Sequence, residues 1–161
     1  MGWFRVGLAV LVVVSALVGA SVPAQQTLVV STVEDGDVLV TAPVQEDTRV
    51  ALAYTHSVER SRVVDTYRVR DGRLEMTRME FESYGWGLPA DANVTRVDGV
   101  FVYDPPGTFE TVTVKPGRIA GHRLHVGDRT YDLVNRSDAR AVTITVERRS
   151  ALAVAIDHFT S

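Results

Sequence analysis

His56, Ser57, Asp65 and Arg78, with Tyr54 just ahead of the histidine, are the residues of this chain best suited to chemistry. An imidazole, a hydroxyl and a carboxylate invite a triad, in which the acid orients a histidine that takes the serine proton. The spacing argues against it. His56 and Ser57 are neighbours in an extended segment, so their side chains diverge, and no Gly-x-Ser-x-Gly elbow is present. No catalytic residue is assigned. Two other uses remain open for an imidazole and a guanidinium gathered around an acid. One is a buried polar network that fixes strand register. The other is a small pocket that binds an anion or a partner's backbone.

The elements that would position these groups are strands, because from Thr27 onward apolar residues recur with a period of two. Expected strands run over 27–33, 38–42, 49–56, 62–70, 73–81, 100–103, 109–114, 122–126, 129–134 and 141–147. The stretch 151–156 is apolar on both faces. No amphipathic helix and no internal repeat is evident. Asp71-Gly72 is the strongest turn signal and suits a two-residue type I′ loop. That turn sets Val69 against Leu74 and Tyr67 against Met76. Continued without interruption, it sets Asp65 against Arg78 on an apolar stripe, where an acid needs a partner. If Ser57 opposes Val64, then Tyr54 faces Tyr67 and His56 faces Asp65. The expected cluster is therefore Tyr54, His56, Ser57, Asp65 and Arg78, and many short, regularly spaced strands imply an all-β, antiparallel sandwich or partly open barrel.

A loop follows the fifth of these strands. Ser83, Gly85, Trp86, Gly87, Leu88 and Pro89 read as a cover over one end of the sandwich. The glycines permit positive φ or close backbone approach, and Pro89 holds Leu88 extended. In one reading the loop tucks Trp86 or Leu88 inward; in the other it exposes an aromatic to a ligand or partner. It matches neither phosphate-loop pattern. His122 and His125 fall on opposite strand faces, so no shared metal and no cofactor is expected. Asn93 and Asn135 open the two glycosylation sequons and are the only asparagines.

The chain has 161 residues, no cysteine and a formal net charge of −3. One domain is expected, without disulfides or thiol chemistry. The basic residues are scattered along the sequence, so no nucleic-acid surface is expected. Residues 1–24 stand apart. Arg5 precedes an uncharged run over 6–22, then Pro23 and Ala24, which is the pattern of a signal peptide. The run also approaches the length of a membrane span, so cleavage and retention as an anchor are both open. Either way residues 25–161, the β domain, face the extracytoplasmic side.

The segments Tyr54-Thr55-His56-Ser57-Val58, Val63-Val64-Asp65-Thr66-Tyr67 and Phe81-x-Ser83-x-Gly85-x-Gly87-Leu88-Pro89 resemble the domain of unknown function family 1850. Trp86 stands where that family usually has alanine. The resemblance implies a small exported protein associated with TAXI-type TRAP transporters. It implies no activity, catalytic residue or cofactor. The expectation is a non-enzymatic accessory domain whose partner is a TRAP membrane subunit or solute-binding protein. Two alternatives stand beside it: an extracytoplasmic module that binds an organic acid through Arg78 and His56, and a hydrolase.

Overall fold

The structure is a computed structural model that describes residues 25–83 and 94–149. Residues 26–147 form one compact unit, and that unit is the subject here. The expected signal or anchor at 1–24 lies outside the described residues, as do Gly85, Trp86, Gly87, Leu88, Pro89 and Asn93 of the loop and the apolar stretch 151–156.

Two antiparallel sheets share one apolar core. The smaller holds β1 (Gln25–Thr32), β2 (Val38–Pro43), β9 (Thr111–Val114) and β12 (Val142–Arg149), in the order β2-β1-β12-β9. The larger holds β3 (Arg49–Thr55), β4 (Arg62–Arg70), β5 (Arg73–Phe81), β6 (Thr95–Val97), β7 (Val100–Tyr103), β10 (Arg123–Val126) and β11 (Arg129–Asp132). Its order is β11-β10-β3-β4-β5-β7-β6, and β8 (Thr108–Phe109) adds to β5. The strand path has two free ends, so the sheet does not close into a barrel.

Alternation decides which side chains enter the core. Leu28, Val30, Val40, Ala42, Val114, Val142 and Ile144 come from the small sheet; Val50, Leu52, Tyr67, Val69, Leu74, Leu124 and Val126 come from the large one. Burying each such valine or leucine stabilises the fold by about 1.5–3 kcal/mol. Phe81 is fully buried and stacks on Phe101 of β7, 5.5 Å between centroids. The far edge is β6, three exposed residues long, where the Arg96 guanidinium lies over the Phe101 ring.

Three local features set the register. Asp71 and Gly72 both have positive φ, 49° and 74°, as a type I′ turn demands. Val69 pairs with Leu74 and Tyr67 with Met76, as expected. Beyond Tyr67 the pairing shifts by one residue: Thr66 meets Arg78 and Asp65 meets Met79. The extra residue is Thr77, whose hydroxyl donates to the Thr66 carbonyl at 3.3 Å. This β-bulge keeps Met79 and Phe81 on the core side.

The strand expected over 129–134 stops at Asp132, and α1 (Leu133–Ser137) follows. Asp132 caps it by accepting from the Asn135 amide at 3.0 Å. The turn buries Leu133 and Val134, which a continued strand would have placed on opposite faces.

Candidate functional site

Asp65 lies in the middle of β4 on the core face, directly opposite Leu52 of β3 and Met79 of β5. It is only 8% exposed. Its Oδ1 is buried without a hydrogen-bond partner, and among the described residues no cation pairs with it. Burial raises its pKa from 3.8 to about 6, because the apolar surroundings disfavour the carboxylate.

The groups around Asp65 are phenols, not cations. Tyr54 of β3 and Tyr67 of β4 share its face through the register Tyr54–Val63 and Val50–Tyr67. Burial pushes the Tyr54 phenol up to about 12, with the Asp65 charge adding to the effect. Tyr67 is raised further by the same causes in the same order, with a smaller contribution from Tyr54. Both phenols stay neutral at ordinary pH. The Tyr54 ring stacks on His122, 4.9 Å between centroids and 9° from parallel. The Gly117 N–H donates to His122 Nδ1 at 3.2 Å, which leaves the ring proton of the neutral imidazole on Nε2. Burial holds His122 in that neutral form by lowering its pKa.

The expected cluster is therefore only half assembled. Tyr54 and Asp65 share a face. Arg78 does not join them: the Thr77 bulge turns it to the outer face beside Thr66, where its Nε donates to Glu80 at 2.8 Å. His56 does not oppose Asp65, and Tyr54 does not oppose Tyr67. The β3–β4 connection closes earlier than expected, with Thr55 against Arg62, so His56 sits in the turn. There its backbone N–H donates to the Ser61 carbonyl at 2.8 Å, and its Nδ1 accepts from the Glu59 amide at 3.2 Å. Ser57 is exposed on the same turn. Ser83 Oγ lies 3.2 Å from Ser61 Oγ and 3.4 Å from the Glu59 carboxylate, which ties the end of β5 to that turn. Asn135 is exposed in α1, but its side-chain amide donates to Asp132 at 2.9 Å.

Residues far apart in the sequence meet on the outer face of the large sheet. His125 of β10 sits opposite Ala51 of β3. Its pKa is lowered by burial and then by three guanidinium groups, Arg49, Arg62 and Arg123. No reading of neighbouring residues signals this group, because strand pairing alone brings it together. Tyr67 already stood on the Asp65 face by the period of two; His122 could have been found by noting an aromatic ring beside the Lys115-Pro116-Gly117 turn.

Among the described residues no group of three His, Asp or Glu side chains could hold a metal ion. No curated protein and no solved structure matches the chain. A family model does match, that of the Domain of unknown function (DUF1850), over residues 50–133. The matched segment begins in β3 and ends where α1 starts, more than half of the chain, and the protein belongs to that family.

Proposed function

We propose that this protein is an exported, non-enzymatic accessory domain that works beside a TAXI-type TRAP transporter. Residues 1–24 would direct it across the membrane and either leave or stay as an anchor. Family membership over residues 50–133 supports the resemblance from which the association is inferred. The observation that carries the non-enzymatic reading is the dispersal of the reactive groups. His56 and Ser57 lie in a surface turn, Asp65 lies in the core among phenols, and Arg78 is held by Glu80 on the opposite face. A hydrolase needs its base oriented toward its nucleophile and its acid. Here His56 Nδ1 is engaged by the turn itself, and Leu52 occupies the position opposite Asp65. The remaining asset is a rigid two-layer body with a patterned outer face, which suits docking.

The partner is a transporter membrane subunit or its solute-binding protein. Affinity capture of the tagged full chain from a mild-detergent extract of native membranes is expected to bring down one of these subunits. Recovery of the intact tagged protein alone, under conditions that preserve a known transporter complex, would overturn the assignment.

A further inference from the structure

We propose that the outer face of the large sheet binds a small multivalent oxyanion, carboxylate or phosphate, held by Arg49, Arg62 and Arg123 above a floor of Ala51, Ala53 and Thr66. This site is independent of any transporter. It differs from the cluster expected around His56 and Arg78, and it is built from different residues.

The register puts these groups on one face. His125 pairs with Ala51 and Arg123 with Ala53; Ala51 pairs with Thr66, and Arg62 pairs with Thr55. Their sequence neighbours Leu124, Val126, Val50 and Leu52 all point into the core. Arg49 reaches across to Thr66, with its Nη2 donating to the Thr66 hydroxyl at 3.4 Å. Ala51, Val64 and Thr66 on this face are buried, 3%, 6% and 6% exposed, so a ligand meets the arginines rather than the sheet beneath them. Backbone positions of Arg49 and Arg123 are separated by about 13 Å along the strands, at roughly 3.3 Å per residue. Arginine side chains span such a gap by turning inward, and a ligand with two or more charged groups can engage both ends.

Six arginines have acidic partners: Arg68 and Arg70 with Asp47, Arg73 with Glu110, Arg78 with Glu80, Arg118 with Asp138, Arg140 with Asp35. Arg49, Arg62 and Arg123 have no ion pair among the described residues, although acids lie along the same face. Those acids are engaged elsewhere. Glu75 binds Arg70 and Glu80 binds Arg78; Glu82 accepts from the Arg62 backbone amide, and Asp132 caps α1. Burial first, and then the charges of Arg49, Arg62 and Arg123, disfavour the charged form of His125, whose Nδ1 lies 2.9 Å from the Thr130 hydroxyl. Guanidinium forks match carboxylate and phosphate oxygens in geometry as well as charge. An anion seated among them would remove the repulsion that now opposes a proton on His125.

His125 is therefore the reporter. The full chain in neutral detergent, with its histidine rings isotope-labelled, is titrated by NMR in the presence of citrate, phosphate or chloride at equal ionic strength. Citrate or phosphate is expected to raise the His125 midpoint saturably, while chloride does not. Arg49→Gln and Arg123→Gln are each expected to weaken the response about tenfold, the loss of one charge-assisted contact. A midpoint that moves equally in all three salts would mean screening and would overturn the site. So would unchanged affinity in both folded variants, or a response confined to anionic lipid vesicles. The wild-type titration decides the matter even if a variant misfolds.

Discussion

Asp65 puts an acid into the core with two tyrosines for company and, among the described residues, no cation to meet it. The sign of the consequence follows from linkage. The folded state holds the Asp65 proton up to about pH 6, whereas an unfolded chain releases it near 3.8. Stability is therefore fullest below that lower value, falls as pH rises through this window, and levels off above it. The change is on the order of 3 kcal/mol for a shift of this size. Asp65→Asn, which keeps the shape and removes the charge, is expected to melt above the wild type at pH ~8 and to lose that advantage near pH ~4. Thermal melts of both proteins across this range check it; a gap that does not vary with pH would mean the carboxyl stays ionised in the fold. The anomaly of Asp65 was legible, since an acid interrupting a run that includes Val63, Tyr67 and Val69 stands out in the sequence. Its neighbours were less so. His56 and Arg78 are the obvious partners by residue type, yet neither reaches it, because a turn and a bulge intervene.

At the scale of elements, the β4–β5 hairpin shows where sequence pattern suffices and where it is misread. Asp71-Gly72 announced its turn, and the structure has the required positive φ values. Gly72→Ala is expected to destabilise the domain by about 1–2 kcal/mol from backbone strain alone. No heavy atom lies within 4 Å to resist the added methyl, so packing contributes little. Chemical denaturation with an unchanged m-value would confirm it. The bulge was also written in the chain. Apolar residues stand at Leu74 and Met76, then at Met79 and Phe81, and that change of phase calls for one extra residue between Met76 and Met79. Deleting Thr77 alone should keep Met79 and Phe81 in the core and leave a cooperative melt. Deleting Thr77 together with Arg78 should turn Glu80 inward, expose Phe81, and abolish the cooperative transition and the near-ultraviolet dichroism. The short α1 was hidden because Tyr131 to Val134 reads as strand; the signal passed over was Asp132 in a capping position.

On the scale of the whole molecule, alternation foretold an antiparallel all-β body, and the two-sheet arrangement bears that out. Which strands join which sheet could not be read from the chain. β12 inserts between β1 and β9, and β10 joins β3 across the intervening strands β4 to β9. Such long-range pairings depend on the fit of whole faces, and no local spacing encodes them. The same reason hid the arginines. Scattered at 49, 62 and 123, they look like ordinary surface charge until β3, β4 and β10 lie side by side.

The three-residue border strand β6, with Arg96 laid over Phe101, has a further meaning. An open β border is a template onto which another molecule can zip and seed a fibril. A border of this length, carrying a cation, offers too little ladder for a second copy to grip. Growth of a ladder from this border is thereby held back, and the large sheet ends in solution rather than in another copy at β6.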